Sequence, residues 1–193
     1  LNFGCGQALP LLFRRIPAIK KSLISDKMLR ALVKASGINE QDLAVSDYSD
    51  FHINILGGWH NDIESGDYCT MEEARDGKIL KVGIFFAEAS RLKDLITQFE
   101  FQGNVFIPDV SARDLLIFPT WIKHRGYPGT RIGGLIRKIL NRFNVPLSVH
   151  NSFYRYFGEA HRESIFFTFG IKGEVFDRFC AENTKRALRQ TSH

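Results

Sequence analysis

Three residues carry the strongest chemical signal in the chain: His60, Asp62 and His124. His60 and Asp62 stand two apart in Gly57-Gly58-Trp59-His60-Asn61-Asp62, and on an extended strand side chains two apart point the same way. One imidazole and one carboxylate would then face a common point. An H-x-D triplet alone is as readily a turn or a surface pair, so a third ligand has to be found. The segment Asp114 to Gly126 (DLLIFPTWIKHRG) supplies His124, just beyond an apolar strand. Two imidazoles and one carboxylate leave three positions of an octahedral metal open, which suits mononuclear iron. Zinc accepts the same set, so ligand identity does not choose the metal.

A second pair extends the chemistry. Arg162 and Ser164 open the last strongly apolar run, HRESIFFTF, and their spacing puts them on one face of a strand. A guanidinium forks onto a carboxylate through two parallel hydrogen bonds, and a neighbouring hydroxyl adds a third. A diacid held by a metal at one end needs such a clamp at the other.

Taken together, His60-x-Asp62, DLLIFPTWIKHRG ending in His124-Arg125-Gly126, and the Arg162-x-Ser164 pair resemble the Fe(II)/2-oxoglutarate-dependent dioxygenases, within them the phytanoyl-CoA dioxygenase-like branch. The run ILKVGIFFAE between the ligands is similar to that family's core strand. The resemblance covers Phe51 to Ile171. It implies a double-stranded β-helix, a cupin-like jelly roll. It also implies Fe(II) on His60, Asp62 and His124, with 2-oxoglutarate as cosubstrate chelating that iron and O2 at the remaining position. Its distal carboxylate would rest on Arg162 and Ser164. The implied activity is hydroxylation or a related oxidation of a small molecule with release of succinate and CO2. An Asp at residue 62 leaves no free position for chloride and argues against halogenation. One departure concerns the clamp: Arg162 follows His124 by 38 residues, further than in most of the family. Arg131, seven residues after His124, is the fallback, but Ile132-Gly133-Gly134 and a helical pattern follow it.

Each of these residues also has a plainer reading. His60 could be a strand-end histidine bonded to backbone, Asp62 a turn former after Asn61, His124 a basic loop residue and Arg162 an exposed strand start. Trp59, Tyr68, Arg125 and Tyr154 are the candidates for bordering a substrate pocket, with ordinary packing as their alternative. His52 reads as a cross-strand residue, and His150 and His161 are weaker ligand candidates. Cys69 reads as a loop cysteine. Leu1 to Gly6 (LNFGCG) has the look of a glycine-rich methyltransferase motif, but the alternating strands and helices of such a domain do not follow.

The elements that must position these residues fall into three stretches. Residues 1–50 carry helical spacing in Leu11, Leu12, Ile16, Ile19 and Leu23, then Met28, Leu29, Leu32 and Val33. Ser25 or Asp26 would cap the second helix and Gly37 would end it. Asp42 to Asp50 reads as a polar connection. From 51 to 171 the texture is of short strands: Phe51–Leu56, Ile79–Phe86, Asn104–Ile107, Asp114–Phe118, Val145–Phe153 and Ser164–Ile171. Many short strands separated by turns predict a mainly β, jelly-roll core flanked by helices. Two helices interrupt it, at Ser90–Phe99 and within an insertion near 127–160, where Ile132, Leu135, Ile136, Ile139, Leu140 and Phe143 share a face. Gly66–Asp76 reads as a loop covering the site, and 172–193 as a C-terminal tail or helix.

Composition sets the outer bounds. At 193 residues a single dioxygenase domain over 1–193 is expected, large enough to fold without disulfides or structural metal. Hydrophobic residues make up 44% and charged residues 24%, which excludes disordered and collagen-like chains. No apolar run long enough to span a bilayer occurs, so no membrane is expected. The chain from Leu1 onward shows no signal peptide, and three scattered cysteines fit neither a disulfide framework nor a zinc ribbon, so the expected location is cytoplasmic. The net charge is +5, yet Leu115 to Gly158 holds no acidic residue and carries Lys123, Arg125, Arg131, Arg137, Lys138, Arg142 and Arg155. Such a field draws anions. Without a recognised nucleic-acid module, a small anionic substrate is favoured over nucleic acid. Two other functions remain open on sequence: a cupin-like metal-dependent isomerase or hydrolase that does not use 2-oxoglutarate, and a non-catalytic jelly-roll binding module. Oligomeric state is not readable.

Overall fold

In the computed structural model the described residues are 2–3, 6–53, 58–63, 68–86, 95–110, 114–128, 135, 139–140, 142–143, 145 and 163–191. The chain opens with β1 (Asn2–Phe3) and β2 (Gly6–Pro10), then three helices, α1 (Leu12–Arg15), α2 (Pro17–Leu23) and α3 (Asp26–Ser36). Pro17 starts α2 where a missing N–H costs nothing. Ser25 caps α3 by accepting from the Met28 amide, and Gly37 at φ 64° ends it in the left-handed conformation. Both ends of α3 were legible in the sequence.

The frame is two antiparallel sheets. β3 (Leu43–Ile53), β4 (Leu80–Phe85), β7 (Leu115–Pro119) and β9 (Glu163–Ile171) join β1 and β2 in a six-stranded sheet ordered β1-β2-β3-β9-β4-β7. β5 (Leu95–Phe101), β6 (Asn104–Phe106) and β8 (Lys123–Pro128) form the smaller sheet, ordered β6-β5-β8. Between β3 and β4 lies α4 (Met71–Asp76), and α5 (Glu174–Thr191) follows β9.

Strand alternation divides the larger sheet into two unlike faces. Val82 and Ile84 on β4 and Ile165, Phe167 and Phe169 on β9 pack with Leu12, Phe13 and Leu32 beneath the N-terminal helices. Each such fully buried side chain contributes about 1.5–3 kcal/mol. The opposite face is set by register: Lys81 opposes Thr168, Gly83 opposes Phe166 and Phe85 opposes Ser164. On β3, Asp50 and His52 pair with Phe166 and Ser164 and share that face. Phe85, Phe118 and Phe166 there meet Phe99 from the smaller sheet, closing the inter-sheet space at one end. Gly83 is required by this packing, since a Cβ there would sit 2.7 Å from Cε1 of Phe166.

Several expectations need correction. Strands β1 and β2 lie within the stretch read as helical. Asp42 to Asp50 is no connection, because its residues from Leu43 belong to the long strand β3. A register shift between Val45 and Ser49 breaks the alternation, and Ser46, Ser49 and Asp50 are buried, Ser49 Oγ accepting from the Phe13 amide at 2.8 Å. The helix expected over Ser90–Phe99 is strand β5 from Leu95 onward, paired along β8, with residues 90–94 outside the described set. Within Gly66–Asp76 the structure places α4, started by a capping box between Thr70 and Glu73. Of the apolar face read in the insertion, Leu140 is buried while Leu135, Ile139 and Phe143 are exposed. Most of 127–160 and the strand expected at Val145–Phe153 lie outside the described residues.

Candidate metal centre

His60 and His124 are neighbours on adjacent chain segments. The His60 amide donates to the His124 carbonyl at 3.1 Å and the His124 amide donates to the His60 carbonyl at 2.8 Å. The short segment around His60 thereby lies beside β8, extending the smaller sheet. His124 is the second residue of β8, past the turn that follows Pro119.

Asp62 is reached by a bend. Asn61 Oδ1 accepts from the Ile63 amide at 3.0 Å, an Asx turn that replaces the extended strand expected through His60 and Asp62. The Asp62 amide then donates to the Thr120 carbonyl at 2.9 Å. Thr120 is itself anchored, donating through Oγ1 to the Ile79 carbonyl at 2.8 Å. Tyr68 closes the ring of supports by donating its hydroxyl to the Asp62 carbonyl at 3.0 Å. The bend at Asp62 is thus tied to the entrance of β4 and to the β7–β8 turn.

The three side chains converge, with their ligand atoms all within 4.8 Å of one another. The imidazole centroids are 4.5 Å apart. His60 Nδ1 lies 2.9 Å from the Gly58 carbonyl and His124 Nδ1 lies 3.0 Å from the Ile122 carbonyl. A carbonyl only accepts, so each Nδ1 carries the proton and each Nε2 keeps a free lone pair. Burial is the main influence on His124 and pulls its pKa down to about 4, with the charges of Lys81 and His60 acting the same way and Asp62 opposing. The ring is therefore neutral at pH 7, the form that binds metal.

Asp62 presents one free oxygen. Its Oδ1 accepts from Lys81 Nζ at 2.8 Å, while Oδ2 is buried with no hydrogen-bond partner. Burial pushes the carboxyl upward, but Lys81 and the two imidazoles together hold it below its ordinary value. With His124 neutral at pH 7, the Lys81 ammonium is the dominant stabilising charge. Two aimed lone pairs and one uncommitted carboxylate oxygen are the donor set a divalent transition metal takes. The residues present fit such an ion.

The structure thus brings His60, Asp62 and His124 together as expected. Ser164 is buried on the same inner face as Lys81, and its Oγ has no partner. Arg162, Arg131 and Tyr154 lie outside the described residues, as do His150 and His161. Trp59 and Arg125 stack on each other, the guanidinium carbon 4.3 Å from the ring centroid, and Arg125 Nε donates to Gln98 Oε1 at 2.9 Å. Tyr68 supports the Asp62 backbone, and the Arg186 guanidinium lies 5.0 Å over its ring. His52 is the cross-strand residue expected, its ring centroid 5.2 Å from that of Phe166. Cys69 is a loop cysteine, as expected, lying just before α4 and buried against α4 and α5, and burial raises its thiol pKa.

Sequence reasoning missed Lys81, Thr120, and the Tyr48–Asp50 pair, in which Tyr48 donates to Asp50 Oδ2 at 2.6 Å and Asp50 Oδ1 stays buried without a partner. Lys81 did leave a signal. It is the one charged residue in the run ILKVGIFF, and alternation sets it on the face of Gly83 and Phe85, away from the apolar cluster. Thr120 left none, since its role depends on a turn bringing it beneath Asp62.

No protein-family model matches the chain, and no curated protein matches it. Its fold is shared by solved structures. An oxidoreductase of the 2OG-Fe(II) oxygenase family from Burkholderia pseudomallei matches at TM-score 0.51 and 10% identity, over 80% of this chain and 57% of its own. EvdO2 from Micromonospora carbonacea var. aurantiaca, solved in complex with 2-oxoglutarate, matches at TM-score 0.50 and 8% identity, over 88% of this chain and 69% of its own. At these identities the likeness is one of fold. The chain spans little more than half the length of the first of these proteins. No helix among the described residues is long and apolar enough to cross a membrane.

Proposed function

We propose that the protein is an Fe(II)- and 2-oxoglutarate-dependent oxygenase that hydroxylates or otherwise oxidises a small molecule, an anionic one being favoured by the basic stretch around the insertion. One observation carries the reading: two imidazoles with capped Nδ1 atoms and one uncommitted carboxylate oxygen converge within 4.8 Å on one end of a two-sheet frame. Within the class, the order of the motifs fits the phytanoyl-CoA dioxygenase-like branch.

The frame is read as a double-stranded β-helix. What supports this is strand order: β3-β9-β4-β7 in one sheet and the His60 segment, β8, β5, β6 in the other. Counted from β3 as the first strand and the His60 segment as the second, the sheets run 1-8-3-6 and 2-7-4-5, the order of a jelly roll. First and last strands are neighbours, so Ser164 on the last lies opposite His52 on the first.

His60, Asp62 and His124 would hold iron, which when bound with 2-oxoglutarate supplies the oxidising chemistry. The protein's own part is placement. The capped imidazoles fix ring orientation, the bend at Asn61 aims the carboxylate, and Phe85, Phe99, Phe118 and Phe166 keep the adjoining interior dry. Ser164, whose buried Oγ awaits a partner, and Arg162, with Arg131 as fallback, would receive the distal carboxylate of 2-oxoglutarate.

The test is to add Fe(II) and 2-oxoglutarate to anaerobic apoprotein and record the visible spectrum. A metal-to-ligand charge-transfer band that disappears in Asp62→Ala and weakens in Arg162→Ala is the expected result. Loss in Arg131→Ala with retention in Arg162→Ala would move the clamp to the fallback. Iron-loaded, folded protein that gives no band with 2-oxoglutarate would sink the cosubstrate reading.

A further inference from the structure

Lys81 is an unusual residue for its position. It sits within the six-stranded sheet on the penultimate strand β4, between β9 and the edge strand β7, opposite Thr168 on one side and Phe118 on the other. Its side chain is only 14% exposed and that of its partner Asp62 only 16%. Burying an ammonium and a carboxylate is costly, and replacing such a pair with apolar residues often costs no stability. Stability is therefore a poor explanation for the pair, and its geometry suggests another.

That geometry constrains Asp62 at every polar atom but one. The amide is held by Thr120, the carbonyl by Tyr68 and Oδ1 by Lys81. Only Oδ2 is without a partner. Lys81 is itself held, its Nζ lying 5.5 Å from the centroid of Phe166, whose ring packs over Gly83 where no Cβ could fit. We propose that Lys81 is a positioning residue, which occupies Oδ1 so that Asp62 meets the metal through Oδ2 alone.

The consequence is a count of coordination positions, and it rests on the metal-centre reading above. Two imidazoles and one carboxylate oxygen leave three of six positions open. A carboxylate free to bind through both oxygens would leave two, which the two donor atoms of 2-oxoglutarate would fill. No position would then remain for a third ligand. An ammonium on Oδ1 prevents that closure and needs no contact with the metal.

Cobalt(II) is the probe, since its ligand-field spectrum reports coordination number and no turnover is required. It is titrated anaerobically into apoprotein, followed by 2-oxoglutarate, for the wild type and for Lys81→Met, Lys81→Arg and Asp62→Ala. In Lys81→Met the expected result is about 10- to 100-fold weaker cobalt binding, the usual cost of losing an outer-sphere partner. Its ligand-field bands should change, and its spectral response to 2-oxoglutarate should diminish. Lys81→Arg, which keeps a charged donor, should restore most of the affinity and the wild-type bands. Lys81→Met leaves a buried carboxylate without its partner and could fail to fold. Lys81→Gln then takes its place, and binding about tenfold weaker than in Lys81→Arg is expected, the low end of the cost of altering an outer-sphere partner, since the amide brings no positive charge to the carboxylate. Cobalt binding within twofold of wild type and unchanged bands in the neutral variant would overturn the proposal. So would tighter binding with wild-type bands and an undiminished response to 2-oxoglutarate, which would mean that the ammonium only competes with the metal. If Asp62→Ala binds cobalt like the wild type, the metal-centre reading fails instead, whatever Lys81 does.

Discussion

His60 and His124 exchange two backbone hydrogen bonds, 3.1 and 2.8 Å long, and their imidazole centroids stand 4.5 Å apart. The separation of the two candidate nitrogen ligands is thus a property of strand pairing, set by main-chain atoms. The carbonyls of Gly58 and Ile122 then orient the rings. A site built this way should exist in the apoprotein. Removing metal with a chelator is expected to leave the far-ultraviolet circular dichroism unchanged. Adding Mn(II) at about 100 times its Kd should then raise the unfolding free energy by about 2.7 kcal/mol, the binding linkage alone. Loss of β-sheet signal on chelation would show that the metal makes the site.

The buried imidazole predicts how the apoprotein responds to acid. The folded pKa of His124, at about 4, lies below the ordinary value of 6.5, so the unfolded chain binds the proton more readily. Stability from this group is complete above pH 6.5, declines as pH falls from 6.5 and levels off near pH 4. Linkage puts the loss at about 3 kcal/mol. Asp62 acts lower, because its carboxyl is held below the ordinary range, and its contribution is lost as pH falls from the ordinary carboxylate value through that lower one. Urea unfolding of metal-free protein at pH 7, 5.5 and 4 measures the slope. His124→Phe, placing a ring beside Phe99 and Phe118, should flatten the profile between pH 6.5 and 4.

Much of the site was legible because its residue types are rare in their contexts. An H-x-D after two glycines and a histidine after an apolar strand stand out from local sequence alone. The strands β4, β6, β7 and β9 were legible for a related reason: each is a short, aromatic or β-branched run. The failures have a common physical origin. In β3 the inward side chains are Tyr48, Asp50 and His52, and a register shift interrupts what alternation remains. A strand that lines a polar interior lacks the apolar period that identifies strands elsewhere. In β5, Leu95, Ile96 and Phe99 mimic helical spacing, and only pairing with β8 settles their conformation. The bend at Asn61 was hidden in the same way: H-x-D suits an extended segment and an Asx turn equally, and the Thr120 carbonyl that receives the Asp62 amide lies 58 residues further along the chain.

Gly83 tests the packing that holds the inner face. A methyl group there would lie 2.7 Å from Cε1 and 3.3 Å from Cδ1 of Phe166. That ring cannot easily retreat, since Phe85 stands edge-on to it at 6.0 Å and His52 lies at 5.2 Å. Gly83→Ala should therefore cost about 1–3 kcal/mol, the range for overpacking a well-filled core. Thermal unfolding checks the magnitude. An unchanged Tm would mean that Phe166 has room to move and does not brace Lys81.

Thr120 separates support of the site from support of the fold. The residue is fully buried, its carbonyl receives the Asp62 amide and its hydroxyl donates to the Ile79 carbonyl at 2.8 Å. Thr120→Val keeps the shape and removes only the donor. The Ile79 carbonyl still accepts from the Thr120 amide at 3.2 Å, so no buried acceptor is orphaned. The expected loss is about 1 kcal/mol, the net worth of one hydrogen bond. Thr120→Ser keeps the hydroxyl but loses a buried methyl, costing about 0.8 kcal/mol for different reasons. The two variants should therefore be destabilised similarly and differ in metal binding. In Val the β7–β8 turn keeps only the amide bond to Ile79, and the looser hold is passed on to Asp62, weakening Mn(II) affinity several-fold. In Ser the anchor is intact and affinity should match the wild type. Equal affinities in the two variants would show that the Asp62 bend holds its place without Thr120.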